Sequence, residues 1–105
     1  INEQNSIQPN DFILYQNFPN PFIEKTSIPY SITEDATVEL SVYDRNGRVI
    51  IVIERSTKSA GEYLAEWDGT AESGATVPAG VYFYRLKVTV NNSSKVLTKT
   101  LIMIR

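Results

Sequence analysis

A strict two-residue alternation of side chains follows Gly80. Successive side chains of a β-strand point to opposite faces of a sheet, so this period predicts a strand over residues 81–88 and assigns each residue to a face. The set assigned to the core is Tyr82, Tyr84, Leu86 and Val88. The other face begins apolar and becomes cationic, with Val81, Phe83, Arg85 and Lys87. That face is therefore expected to be covered at one end and solvated at the other.

The same period recurs along the chain, and no useful length of sequence has a helical period. Strands are predicted over residues 27–32, 37–43, 48–53, 61–67, 81–88 and 95–105, with a possible seventh over 12–15. Their spacing is typical of a sandwich. The sequence therefore predicts an all-β, antiparallel sandwich of about seven strands, without a helix longer than about two turns.

Residues that favour turns separate these strands. Asn46 and Gly47 indicate a hairpin, because the pair supplies the positive φ that tight turns need. A second hairpin loop is predicted at residues 91–94, and a polar connection at 56–60. Pro29 has no N–H, so its strand should lie at a sheet edge or leave one side unpaired there.

A proline-rich segment, residues 16–22, is named here the proline corner. Its motif residues are Asn17, Pro19, Asn20, Pro21 and Phe22. Each proline disfavours helix at the preceding residue, and the asparagines can bond their own downstream backbone. We expect a stiff corner that presents Phe18 and Phe22 to the core. The alternative is a proline ligand for an SH3-like partner.

The only tryptophan ends a predicted strand and leads into Asp68 and Gly69. Because Trp67 shares an alternation face with Tyr63, it is expected to anchor the core. Asp68 and Glu72 are candidate cation ligands, but they fall short of the oxygens that calcium requires. Gly80 suits a positive φ or a close crossing of chains.

Composition excludes several kinds of chemistry. The 105 residues contain no histidine and no cysteine, which removes imidazole and thiolate metal sites, cysteine nucleophiles and the usual serine triad. We therefore expect no enzyme activity and no cofactor. The formal charge of −2, without a dense basic patch, makes nucleic acid and anionic membranes poor partners.

Several motifs together resemble one family. They are residues 14–22 (Leu-Tyr-Gln-Asn-Phe-Pro-Asn-Pro-Phe), 26–30 (Thr-Ser-Ile-Pro-Tyr), 42–49 around Gly47, 61–69 ending in Trp-Asp-Gly, and 78–86 (Pro-Ala-Gly-Val-Tyr-Phe-Tyr-Arg-Leu). The chain resembles the type A C-terminal sorting domain of proteins that Bacteroidota export by the type IX secretion system. It departs from the family at Ile23 and Glu24, where Asn-Pro is frequent. The Trp-Asp-Gly and Gly-Val-Tyr elements are also similar to the immunoglobulin-like part of flagellar hook-capping proteins.

The resemblance implies an immunoglobulin-like sandwich at residues 12–105, preceded by a linker from an upstream cargo at 1–11. It implies passage through the periplasm and the outer membrane, followed by release or attachment at the cell surface. The implied partners are the outer-membrane translocon with its shuttle proteins, a cell-surface sortase and the covalently linked cargo. We expect translocon recognition at the end of the chain, at Leu101, Ile102, Met103, Ile104 and Arg105.

Two other functions stay open. A carbohydrate-binding module would use exposed tyrosine or tryptophan, although most aromatic residues here fall on inward-facing positions. An inert immunoglobulin-like spacer of a secreted enzyme would need no site at all. The strand at 95–105 has one interior charge after its first residue, Lys99, so it is also a candidate edge for a weak homodimer.

Overall fold

The computed structural model describes residues 12–105, which form seven strands and no helix. The strands are β1 (Phe12–Leu14), β2 (Thr26–Ile32), β3 (Ala36–Tyr43), β4 (Val49–Lys58), β5 (Gly61–Trp67), β6 (Gly80–Val90) and β7 (Ser93–Met103). In this part of the chain there is consequently no helix that could cross a bilayer. The linker predicted at 1–11 lies outside the described residues.

The strands form two antiparallel sheets. The smaller has the order β1-β2-β5 and the larger the order β4-β3-β6-β7. The molecule is elongated, with principal extents of 52 × 23 × 23 Å. The predicted fold class, an all-β immunoglobulin-like sandwich of about seven strands, is confirmed.

The core lies between the sheets, where the alternating apolar faces meet. The predicted inner set of β6 is buried: Tyr84, Leu86 and Val88 have no exposure and Tyr82 is 6% exposed. From β2, Ile28, Tyr30 and Ile32 face the same core, as do Val38, Leu40 and Val42 from β3. Two-residue periodicity alone therefore assigned these faces correctly.

The fourth strand is longer than predicted. β4 continues to Lys58, so the connection expected at 56–60 is wrong, and the turn that follows contains Ser59 and Ala60. Register shifts opposite β3 indicate two bulges in β4, which interrupt its alternation. β4 is an edge strand, and contacts with β3 hold its polar end in place, including the Arg55–Glu39 ion pair at 2.9 Å. The last five residues of β4, 54–58, are all polar although alternate ones are half-buried, so no apolar alternation marked them as a strand.

The predicted hairpins are present with small differences. At the first, Gly47 has a φ of 85°, and the Asp44 carboxylate accepts hydrogen bonds from the backbone N–H groups of Asn46 and Arg48. At the second, the turn is only Asn91 and Asn92, both with positive φ, and β7 resumes at Ser93. A two-residue turn requires positive φ at both positions, and asparagine tolerates positive φ better than most residues.

Candidate recognition site at the C-terminal strand

The five residues predicted to be recognised do not all face solvent. Leu101 and Met103 are buried, at 0% and 1% exposure, whereas Ile102 and Ile104 are 37% and 44% exposed. Arg105, the last residue, is also exposed. The two buried side chains therefore anchor the strand, and only Ile102, Ile104 and Arg105 offer side chains to a partner.

The proline corner lies against the outer edge of β7 at this end. The backbone N–H of Phe22 donates to the carbonyl of Ile102 at 3.0 Å, and the N–H of Ile104 donates to the carbonyl of Phe22 at 2.9 Å. The side-chain oxygen of Asn20 accepts the N–H of Ile102 at 2.9 Å. Because these backbone groups are already bonded, a partner at this end must read side chains.

The motif Trp67-Asp68-Gly69 and Val77 pack against Met103 and Arg105, and together they are called here the seat of the last strand. Gly69 has a φ of 81°, and a Cβ at this position would lie 2.7 Å from the sulfur of Met103. The carbonyl of Gly69 accepts the N–H of Val77 at 2.9 Å, and the carbonyl of Val77 accepts the guanidinium of Arg105 at 2.6 Å. Glycine is needed here both for its backbone conformation and for the space that Met103 occupies.

Three aromatic rings support this seat from inside. The ring of Trp67 lies 5.6 Å from that of Phe22 and 5.5 Å from that of Tyr82, in tilted and edge-on arrangements. The indole N–H donates to the carbonyl of Thr70 at 2.9 Å, and the Tyr82 hydroxyl donates to the carbonyl of Pro78 at 2.5 Å. Trp67 is 2% exposed, so it is a core anchor as predicted and offers no stacking surface to a sugar.

The interior of the proline corner is held by Asn17, which is buried. Its amide nitrogen donates to the Thr26 hydroxyl at 2.9 Å and to the carbonyl of Pro19 at 3.3 Å. Its backbone N–H donates to the hydroxyl of Tyr84 at 2.9 Å. The corner is thus fixed to the small sheet by one asparagine and to β7 by the other. Asn20 was expected to bond its own downstream backbone, but the hydrogen bond found is to Ile102.

The prediction for the two phenylalanines is half wrong. Phe22 is buried, but Phe18 is 55% exposed. The backbone of Phe18 pairs with that of Ser27, with hydrogen bonds of 2.9 and 2.8 Å, as a short antiparallel bridge. Asn17 takes the inward position, and alternation then turns Phe18 outward. With Ile23, at 60% exposure, Phe18 adds apolar surface to the corner.

The acidic residues of the following loop have local partners. The carboxylate of Asp68 accepts the hydroxyl of Thr70 at 2.6 Å, and Glu72 accepts the N–H of Val52 at 3.4 Å. No three side chains among residues 12–105 form a group that could hold a metal ion. Gly80 opens β6 with a φ of 153° and has no atom within 4 Å of where a Cβ would be, so it does not mark a close crossing.

Sequence reasoning missed the contributions of Asn20 and Gln16 to the strand end. The Gln16 side chain donates to the carbonyl of Thr100 at 2.9 Å. Both contacts join residues more than 80 positions apart, and no local pattern indicates such a contact. The asparagine–proline alternation was a signal that these side chains are held in place, but it did not identify their acceptors and donors.

Comparison with known proteins shows the family. Residues 23–94, well over half of the chain, match the FlgD Ig-like domain. A search of curated proteins gives no match. Among solved structures, FlgD from Pseudomonas aeruginosa is 26% identical with a TM-score of 0.60, over 75% of this chain and 60% of that one.

Two similar structures come from Porphyromonas gingivalis. Dimeric latent PorU is 22% identical with a TM-score of 0.76, and covers 96% of this chain. PorZ, an essential surface component of the type IX secretion system, is 21% identical with a TM-score of 0.54 over 88% of this chain. The chain spans about a tenth of the length of each, 10% and 11%, so these likenesses concern the fold alone. By the extent of the family match, the chain belongs to the FlgD Ig-like domain family.

Proposed function

We propose that the domain is a C-terminal sorting signal for the type IX secretion system, a folded tag that other proteins recognise. The observation that carries the proposal is that the family motifs, separate in sequence, meet at one place in the structure. The motifs that produced the family resemblance, in the proline corner, at Trp67-Asp68-Gly69 and at the start of β6, surround the end of β7 and hold it in place. A tag whose last strand is read by a translocon needs such a support.

The proposed readout is made by side chains. Ile102 and Ile104 project from a strand whose backbone is satisfied, and the cation of Arg105 is held by the carbonyl of Val77. We infer that the translocon or its shuttle proteins contact these three residues, and that Leu101 and Met103 act only as anchors. The upstream cargo, the cell-surface sortase and an outer-membrane or secreted destination belong to the same proposal. The likeness to PorZ, itself a surface component of this system, supports it.

The test is an export assay. The 105-residue chain is fused to the C-terminus of a passenger with an ordinary export signal, and expressed in a host that uses the type IX system. The passenger should reach the surface or the medium. If it stays in the periplasm while the host exports its own cargo, the sorting function is wrong.

A paired variant separates recognition from folding. Ile102→Thr with Ile104→Thr changes two exposed side chains but keeps β-branched residues in the strand. The control is Val49→Thr, which changes a side chain of 55% exposure on the opposite edge of the sheet. The double variant should lose export while it still melts as a folded domain at a somewhat lower temperature, and the control should be exported. Loss of export in both would show that export does not depend specifically on Ile102 and Ile104.

A structural spacer is the second candidate, and the family match favours it, because that family includes domains of a flagellar hook-capping protein. A spacer would leave the passenger in the periplasm with or without the variants.

For a carbohydrate-binding module the structure offers less support, because Trp67, Tyr82 and Tyr84 are all buried. A glycan array tests that function directly. We also infer that the domain has no catalytic role, since the chain contains no histidine or cysteine.

A further inference from the structure

The outer edge of β7 is occupied along only part of its length. β7 is the last strand of its sheet. The contacts from Gln16, Asn20 and Phe22 reach Thr100 and Ile102, which shows that even-numbered residues of β7 turn their backbone groups away from β6. Ser94, Val96 and Thr98 continue this series. Among residues 12–105, no hydrogen bond reaches their outward N–H and C=O groups. β1 lies beside Leu97–Lys99 without bonding to it, and a groove separates the two strands there.

An open strand edge of this kind binds another strand. Each of the three residues presents one donor and one acceptor in a row. Extended peptides bind such edges by adding a strand, with main-chain hydrogen bonds giving affinity and alternate side chains giving specificity. The identity of the occupant then depends on the side chains around the edge.

The charges around this edge have one sign. All 12 acidic residues of the chain lie at or before Glu72, and every charged side chain after it is basic. Four of them lie on the β6–β7 hairpin: Arg85, Lys87, Lys95 and Lys99. The ion pairs among the described residues involve none of these four. Glu39, the cross-strand partner of Lys87, is already paired with Arg55.

This charge selects between two possible occupants. A second copy pairing through the same edge would bring two cationic hairpins together, and like charges on neighbouring strands are destabilising. An acidic strand would instead meet cations on both faces of the hairpin. Arg85 and Lys87 lie on the outer face of β6, and Lys95 and Lys99 of β7 lie on the opposite face. The homodimer expected from the sequence is therefore disfavoured by charge.

We propose that the open β7 edge, from Ser94 to Thr98, binds an extended acidic segment of a partner protein as an added strand. This inference rests on the edge and its charges and does not require the sorting function. It also differs from the readout at Ile102 and Ile104, where the proline corner already occupies the edge. The site takes a short stretch of strand, and its affinity should fall as salt rises.

The test uses the 105-residue chain and a synthetic peptide of alternating glutamate and valine, followed by amide NMR. Binding should shift the amide signals of Ser94, Val96 and Thr98, slow their hydrogen exchange, and leave those of β4, the opposite edge, unchanged. The same peptide methylated at alternate backbone nitrogens on its binding edge should not bind, because it cannot donate to the strand. Equal binding of the methylated peptide would overturn strand addition and indicate a nonspecific polyanion contact.

Two variants test the residues. Val96→Pro removes one outward N–H without removing a bond to β6, and Val96→Thr keeps that N–H as its control. Lys87→Gln with Lys95→Gln and Lys99→Gln should weaken binding about tenfold, whereas Arg45→Gln, in the distant first hairpin, should not. Unchanged affinity in the triple variant would remove the acidic partner. Tighter binding of a lysine–valine peptide, or dimerisation of the free chain in sedimentation, would also contradict the proposal.

Discussion

Tyr84 donates its hydroxyl hydrogen bond to the carbonyl of Tyr15 at 2.7 Å, although the two residues belong to opposite sides of the sandwich. The N–H of Tyr15 donates to the carbonyl of Pro29, which lies opposite it on β2. Proline has no N–H to return, so the carbonyl of Tyr15 would lack a partner without the phenol. The same hydroxyl accepts the N–H of Asn17. Pro29 is therefore tolerated in the middle strand of its sheet, at a place left unpaired on one side.

Tyr84→Phe should consequently be costly for such a small change. It leaves the buried N–H of Asn17 and the partly buried carbonyl of Tyr15 without partners, which should lower the free energy of unfolding by about 2 to 4 kcal/mol. Tyr82→Phe is the control, because its hydroxyl bonds only the carbonyl of Pro78, and the loss should be about 1 kcal/mol. Urea unfolding of both variants measures the difference. Equal losses would mean that water replaces the Tyr84 hydroxyl.

Gly69 and Gly74 make a matched pair for the seat of the last strand. Both have positive φ, 81° and 92°, but only Gly69 has an atom close to the added methyl group. Gly74→Ala should cost about 1 to 2 kcal/mol for the backbone conformation. Gly69→Ala should cost more, about 2 to 4 kcal/mol, because Met103 must also move. In a Met103→Ala background the two penalties should become similar in thermal or urea unfolding; a difference that persists there would place its cause outside this contact.

Trp67 and Phe18 test the assignment of the aromatic residues. Trp67→Ala should lower stability by about 3 to 5 kcal/mol, through lost burial and a cavity. Phe18→Ala, at an exposed position of the proline corner, should change it by less than about 1 kcal/mol. In the folded protein, tryptophan emission should be at shorter wavelength than that of free tryptophan. Emission like that of the free amino acid would contradict the core assignment.

Stability should decrease in alkaline solution. Burial, with the neighbouring Glu54 carboxylate, raises the pKa of Tyr30 far above its usual value, and burial also raises the pKa of Tyr84. The native state then keeps protons that the unfolded state loses above about pH 10. The free energy of unfolding therefore has its full value below that pH and decreases above it. Tyr30→Phe should make the decline shallower in urea titrations between about pH 9 and 11. An unchanged slope would show that the decline has another origin.

Much of the fold was accessible from local sequence. Period-two alternation identified the strands and their inner faces, and Gly47 and Asn91 marked the hairpins. The sequence could not show that Phe18 points outward, because its direction depends on pairing with Ser27, nine residues away, and not on its own apolar character. The length of β4 was hidden because residues 54–58 are polar on both the half-buried and the exposed face, so they show no apolar alternation.

The charge distribution was visible but was considered only for the whole chain. A net charge of −2 and the lack of a dense basic patch made nucleic acid and anionic membranes poor partners, and the separate segments were not compared. Counting charges by segment would have shown that acidic residues stop at Glu72. The hairpin then brings Lys87 and Lys95 onto neighbouring strands, one on each face of the sheet. Only the strand order shows that the edge beside them is open.

The bond between Asn20 and Ile102 also sets the order of assembly. A chain that appears from its amino end can pair β3 with β4 and β2 with β5 early, and the proline corner can bond β2 through Asn17 and Phe18. The contacts of Asn20 and Phe22 with the end of β7 must wait until residues 102–104 are available. Contacts of such high sequence separation form late and slowly. A chain truncated before Leu101 lacks the backbone groups that bond Asn20 and Phe22. Closure of the proline corner over β7 therefore reports that synthesis has passed Ile104.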